Sequence, residues 1–285
     1  MFTYALSSGI FWVVATMALG ATANAAALDT DQALPKNLTA QVCDDEAEWP
    51  PFIYYQRTNG VKSQKIIGSA LATLEQILTK ADIDYTIMLM PWKRCLLEIT
   101  NGQRYQVTLN LSFSADRERD FLLSRSYYRL TNQYFYSRKQ HPNGLSIKGL
   151  SDLKHYRVCG LLGYNYSIYG LTEEEMDLSG YGFAKMIAKL HLGRCDLFVQ
   201  KPEIMRGFGK VDPEMALLLA DSNLVGATLP GIKDTGFHMG VSRSVPYGKA
   251  LLKLLNAGID ELEASGELQK IMGPSSVKAV KPHKK

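Results

Sequence analysis

Apolar side chains recur along this chain at two spacings, and the spacings alternate. Residues 38–43 show the every-second-residue pattern of a strand. Pro50 and Pro51 then hold "EWPPFIYY" in an extended turn, and Asn59-Gly60 marks another turn. Ile67, Leu71, Leu74 and Leu78 follow at steps of four, three and four, one face of a helix. Tyr85, Ile87 and Leu89 return to strand spacing. Pro91 starts a second helix at "WKRCLLEI", Asn101-Gly102 stops it, and "YQVTLNL" predicts the next strand. Strand, helix, strand, helix, strand is the signature of a parallel sheet covered by helices.

The alternation restarts after "HPNG". "HYRVCGLLG" predicts a strand ending at Gly163, "YGFAKMIAKLHLG" a helix capped by Gly193, "RCDLFVQ" a strand and "EMALLLADSN" a helix. "FHMGVSRS" predicts a last strand, followed by helices over 247–256 and 259–272. Two α/β units joined by extended segments predict two lobes with a cleft between them. Ligands in such sheets bind beyond the carboxyl ends of the strands.

Composition changes this picture only at the ends. With 285 residues, 46% hydrophobic and 21% charged, the body is globular rather than disordered. The first 25 residues carry no charged side chain; an apolar run over 10–21 is followed by Ala23-Asn24-Ala25. The run is short for a membrane span and ends in an A-x-A pattern, so a secretory signal cut after Ala25 is expected. Its start lacks Lys and Arg, and an uncleaved anchor helix is the alternative reading. At the other end, "SSVKAVKPHKK" holds four lysines and no acid, which accounts for the whole formal charge of +4. A neutral body argues against nucleic acid as a partner, and the tail reads as a frayed, solvated end.

Export would place Cys43, Cys95, Cys159 and Cys195 in an oxidising compartment, where an even number predicts disulfides. Three pairings are possible. Zinc is the rival reading, but no C-x-x-C pair occurs, and His141, His155, His191 and His238 are scattered.

The candidate chemistry gathers in "LNLSFSADRERDFLLSRSYY", residues 109–128. Ser112 and Arg117 lie just past the carboxyl end of the strand at 107–111. A guanidinium there can hold a carboxylate in a bidentate fork, with hydroxyls adding hydrogen bonds. The plain alternative is an arginine on a solvated loop. Arg119 and Arg125 read as surface charges.

In order along the chain stand "WPPFIY", "PWKRCLLEITNGQRYQVTL", "SFSADRERDFLLSRSYY", "VCGLLGYNY", "GRCDLFVQ" and "FHMGVSRSVPYGKALLKLLNAGIDELEASGELQKIMG". Together they resemble the periplasmic solute-binding proteins of bacterial extracellular family 3, whose best-known members deliver polar amino acids to ABC transporters. The resemblance spans about residues 38–273. It implies a type II periplasmic-binding-protein fold, two lobes that each hold a mostly parallel sheet flanked by helices. The first lobe would comprise 38–130 and 235–273, the second 134–226, between a signal at 1–25 and a disordered basic tail at 274–285. Crossings between lobes would lie near 129–136 and 227–236. Cys43–Cys95 and Cys159–Cys195 are then the pairings that stay within one lobe.

The resemblance also implies a function: a monomeric periplasmic protein, with no cofactor and no metal, that closes on one small polar solute for a separate membrane partner. Arg117 matches the carboxylate-binding arginine, with Asn110 and Ser112 as supporting contacts. Trp49 matches an aromatic that covers the ligand, with Trp92 near it. Tyr164 and Asn165 match a turn that offers a helix N-terminus to an anion. Amino-acid binders of the family usually place an acid after the Gly-x-x-Asp strand, for the ligand's ammonium; here Lys201 stands in that place. Either Glu203 substitutes, or the ligand lacks an α-ammonium, or the loop shifts and leaves Lys201 exposed. Glu46 or Glu48 could hold a cation from the first lobe. Asp196 is expected to serve the start of its strand.

Two other roles compete with transport. A free-standing sensor would report the ligand to a membrane receptor. A cleft enzyme would use Glu46, Glu48 or Glu203 as acid or base, but no G-x-S-x-G, H-E-x-x-H, P-loop or G-x-G-x-x-G motif occurs.

Overall fold

A computed structural model describes residues 32–273 and, separately, Met1. The rest of the expected signal at 1–25 and the basic tail at 274–285 lie outside the described residues. In chain order the elements are β1 (Thr39–Asp45), β2 (Tyr54–Thr58), β3 (Val61–Ile67), α1 (Ser69–Lys80), β4 (Asp84–Met90), α2 (Trp92–Asn101), β5 (Val107–Ser112), α3 (Ala115–Asp120), β6 (Phe121–Leu123) and β7 (Tyr128–Leu130). Then come β8 (Gln133–Ser137), β9 (Val158–Cys159), β10 (Met176–Asp177), α4 (Phe183–His191), β11 (Leu197–Gln200), α5 (Pro202–Val211), α6 (Pro213–Leu219), β12 (Leu224–Thr228), β13 (Thr235–Ser242), α7 (Gly248–Ala264) and α8 (Glu267–Met272).

The strands form two main sheets. The first has the order β4-β1-β5-β13-β6, with β7 also on β13; the second has the order β10-β9-β11-β8-β12. β4, β1 and β5 are parallel, and β13 runs against β5, β6 and β7. β10, β9 and β11 are parallel, and β8 runs against β11 and β12. Each sheet thus contains a single reversed strand, and each is the strand the chain enters on arriving from the other sheet. The two passages are residues 131–132 and 229–234. Among the described residues no helix is long and apolar enough to cross a membrane.

The expected helical face at Leu71, Leu74 and Leu78 is buried on α1, with Ala70 and Ile77; Ile67 instead ends β3. Leu74 and Leu78 pack with Leu251, Leu255 and Ile259 of α7 in one core. Gly258 lets α7 approach α1 closely, because a Cβ there would lie 2.6 Å from Ile77 Cγ1. This corrects the expected break near residue 257. α7 runs on to Ala264, and the chain turns at Gly266, which has φ +75°.

Two more expectations change. "HYRVCGLLG" makes only a two-residue strand, β9. The Leu161 N–H donates to the Tyr166 hydroxyl at 2.7 Å, so the chain leaves the sheet there. α5 was not predicted, since Gly207 and Gly209 dilute its helical signal. Gly207 is needed because a Cβ there would fall 2.2 Å from the Pro50 carbonyl oxygen.

Cys43 of β1 is bonded to Cys95 of α2, with Cα atoms 5.7 Å apart. Cys159 of β9 is bonded to Cys195, just before β11, with Cα atoms 5.8 Å apart. Each bridge ties elements around one sheet.

Candidate ligand-binding site

The carboxyl ends of β1, β5 and β11 and the turn that follows β9 converge on one cavity of about 50 Å³. All eight residues singled out as ligand contacts line it: Trp49, Trp92, Asn110, Ser112, Arg117, Tyr164, Asn165 and Lys201. An open groove of about 890 Å³ adjoins it and shares Asp45, Trp92 and Tyr164 as the dividing wall.

Arg117 sits on α3, a short helix capped by Ser114, whose hydroxyl accepts from the Arg117 N–H at 3.2 Å. That is the role of Ser114 in the motif. The Arg117 side chain turns inward and is buried. Nη1 donates to Ser112 O at 3.0 Å and Ser112 Oγ at 2.9 Å, and Nη2 donates to Gly163 O at 3.1 Å. The guanidinium lies 6.0 Å from the centre of the Trp92 ring. It forms no ion pair among the described residues. Burial pushes its pKa down to about 10. Taking a cation out of water without an anionic partner costs several kcal/mol, so an anion is the complement this position lacks.

Asn110 faces the cavity but is engaged at both ends: Nδ2 donates to Asp44 Oδ2 at 3.0 Å, and Oδ1 accepts from the Tyr128 hydroxyl at 2.6 Å. Asp44, which the sequence reading passed over, is fully buried and also accepts from Thr108 Oγ1 and from the Leu109 and Asp45 N–H groups. Burial raises its pKa nonetheless. Asp45, also passed over, accepts from the Tyr164 hydroxyl at 2.6 Å and the Ala47 N–H at 3.0 Å. Burial pushes its carboxyl up to about 7. Both acids are the last two residues of β1, so the strand-end argument that selects Ser112 applies equally to them. Trp49 is buried with its ring 5.8 Å from both Tyr164 and Phe237.

The second-lobe turn differs from expectation. Only a three-residue 3₁₀ turn, Ser167–Tyr169, follows Tyr164 and Asn165. One such turn has no aligned dipole to offer, and Gly163 presents its carbonyl to Arg117 rather than an N–H to an anion. Asn165 acts through its side chain instead, donating to Ser112 Oγ at 3.2 Å and Phe113 O at 2.7 Å.

Lys201 is buried, so the exposed-loop alternative is wrong. Its ammonium donates to Asn132 Oδ1, to the Tyr169 hydroxyl at 2.9 Å and to Thr235 Oγ1 at 2.7 Å. Burial lowers its pKa to about 7. The three candidate glutamates stand away from the cavity lining. Glu46 is exposed. Glu48 is held in a fork by Arg57, at 3.2 and 2.6 Å, and Glu203 accepts from Thr131 N and Oγ1 at 3.2 and 2.8 Å. Asp196 braces the start of β11, accepting from the Arg157 N–H at 2.8 Å. Among the described residues, the one cluster with metal-ligand spacing is Cys159, Asp177 and Cys195, and its two sulfurs are bonded to each other.

A family profile matches residues 42–273, nearly all of the described chain. The chain belongs to the bacterial extracellular solute-binding proteins, family 3. Solved structures share the fold of this solute-binding protein at low identity. An amino-acid ABC transporter substrate-binding protein of Streptococcus pneumoniae, bound to L-arginine, is 19% identical with a TM-score of 0.63, over 83% of this chain and 92% of that one. A histidine kinase sensor domain with similarity to periplasmic binding proteins is 20% identical with a TM-score of 0.66, over 82% and 94%. An ancestral amino-acid-binding protein described as a precursor of cyclohexadienyl dehydratase is 14% identical with a TM-score of 0.60, over 82% and 93%. No curated protein matches the chain.

The residues of this solute-binding protein that sequence reasoning missed fall into two groups. Asp44, Asp45 and Gln200 lie at strand ends and were open to the argument used. Tyr166, Tyr169, Asn132, Thr235 and Phe237 carry no local signal; only the folding of the two sheets brings them to the cavity or to Lys201.

Proposed function

We propose that the protein captures one small carboxylate-bearing solute in this cavity and presents it, as a periplasmic monomer, to an ABC permease. The observation that carries the reading is Arg117: a buried guanidinium on the cavity wall with no anionic partner among the described residues. A bound carboxylate would supply that partner in a bidentate fork and displace the weaker bond to Gly163 O. Trp49 and Phe237 offer apolar cover to the rest of the solute. The division into lobes at the two crossings lets them close around it. The similarity to an arginine-bound substrate-binding protein of an ABC transporter supports the transport reading. Similarity to a sensor domain favours a second reading, a receptor that reports the solute to a membrane partner through the same cavity. A catalytic role finds less support, since Glu48 and Glu203 are already held by Arg57 and Thr131.

The test is a thermal-shift screen of the secreted protein against amino acids, dicarboxylates, 2-oxo acids, polyamines, peptides and sugars. A carboxylate should raise the melting temperature, and Arg117→Ala should abolish that shift while the ligand-free melting temperature stays nearly unchanged. A shift by sugars or polyamines alone, or one that survives Arg117→Ala, rejects the reading.

A further inference from the structure

We infer that Lys201 makes this cavity selective for carboxylates that carry no ammonium group, 2-oxo acids and dicarboxylates, over α-amino acids. The inference rests on the cavity being the solute site and names the class of solute.

Lys201 follows β11 and closes the second-lobe wall of the cavity. An ammonium has three N–H groups, and all three are engaged, on Asn132 Oδ1, the Tyr169 hydroxyl and Thr235 Oγ1. Every one of these acceptors is neutral. Asn132 lies in one passage between the sheets and Thr235 directly follows the other, so the nitrogen is bonded to both crossings. The rings of Tyr169 and Phe237 lie 5.3 and 5.9 Å from it. Lys201 forms no ion pair within 4.0 Å among the described residues; Glu203 and Asp234 act on it only at longer range. The nitrogen is therefore held in the wall by neutral partners alone, and the charge of a neighbouring ligand decides how readily it carries its proton.

The cavity acids do not offset this at close range. Asp44 accepts from four donors, and Asp45 accepts from Tyr164 and Ala47. A solute whose carboxylate meets Arg117 directs its remaining polar group toward a wall with no free acid on the second-lobe side. An α-ammonium there faces a buried cation. A carbonyl oxygen or second carboxylate instead lowers the cost of burying that cation and favours its protonated form.

The experiment compares matched pairs on the secreted chain by calorimetry: 2-oxoglutarate with L-glutamate, succinate with L-aspartate, and pyruvate with L-alanine. The ammonium-free member should bind about ten-fold tighter or more. Lys201→Arg should keep the preference, Lys201→Met and Lys201→Gln should reduce it, and Lys201→Asp should invert it. Equal or tighter binding of the amino acids by the unaltered protein overturns the inference, whatever the variants do. So does an unchanged preference in a folded Lys201→Met or Lys201→Gln. Amino-acid binding that Arg117→Ala abolishes would leave the carboxylate reading standing and remove this inference alone. No binding of any member would remove both.

Discussion

The Tyr164 hydroxyl donates to Asp45 Oδ2 at 2.6 Å, from the turn after β9 to the carboxyl end of β1. The two sheets are therefore joined across the cavity by a direct hydrogen bond, beside those from Arg117 to Gly163 and from Asn165 to Ser112. Tyr164→Phe should loosen this contact and cost about 1 kcal/mol of stability. Small-angle scattering of the ligand-free variant should give a larger radius of gyration than the parent. Asp45→Asn keeps an acceptor for the hydroxyl and should keep the parent's radius. An unchanged radius in Tyr164→Phe would mean that the remaining contacts hold the lobes alone.

The cavity walls hold groups whose contributions to stability run in opposite directions on the two sides of neutral pH. Asp45 is raised by burial from 3.8 to about 7, so the folded state holds more protons than the unfolded chain across that window. Its contribution to stability therefore falls as pH rises from about 4 to 7, and Asp44, also raised by burial, acts in the same direction. Lys201 is lowered by burial from 10.5 to about 7, so the unfolded chain holds more protons between those values. Its contribution rises as pH climbs from about 7 to 10. Urea titrations from pH 4 to 10 should show Asp45→Asn flattening the acid limb and Lys201→Met flattening the alkaline one. Parallel curves in all three proteins would reject the assignment.

Reduction tests the two bridges. They close segments with sequence separations of 52 and 36 residues. Loop-closure entropy for segments of that size corresponds to about 4 kcal/mol each. Cys43→Ala/Cys95→Ala and Cys159→Ala/Cys195→Ala should each lower the melting temperature markedly. Non-reducing alkylation followed by mass spectrometry should find no free thiol; four labelled cysteines would reject both pairings.

Gly258 is the helix glycine to substitute. Alanine gains about 1 kcal/mol in intrinsic helix preference, but here its Cβ would meet Ile77 Cγ1 at 2.6 Å and Cγ2 at 2.7 Å. Ile77 is β-branched and stiff, so overpacking wins and Gly258→Ala should destabilise by about 1–2 kcal/mol. Ile77→Ala should turn the cost of the added methyl into a gain in a double-mutant cycle. A stabilising single substitution would show that α7 shifts freely on α1.

Much of this protein was legible in order along the chain. The spacing of Leu71, Leu74 and Leu78 on α1 and of Tyr85, Ile87 and Leu89 on β4 is a local property, because 3.6 and 2 are the periods at which helices and strands turn a side toward the core. Placing Ser112 and Arg117 past a buried strand needed only the rule that sites gather at strand ends, and both line the cavity. The same rule reaches Asp44 and Asp45, which end β1 and line the cavity.

Where local pattern failed, a distant neighbour decided. Gly258 reads as a helix break until Ile77 is set against it, and Gly207 hides α5 until Pro50 is. The class of fold and the order of most elements follow from residues close together in the chain, and so does the placing of Arg117 just past a strand. Tertiary structure alone decided that Lys201 is buried, that Asn132 and Thr235 from two separate crossings pin it, and that Tyr164 reaches Asp45. Those contacts join residues dozens of positions apart, and the protonation of Asp45 and Lys201 depends on how much water the finished fold removes from them.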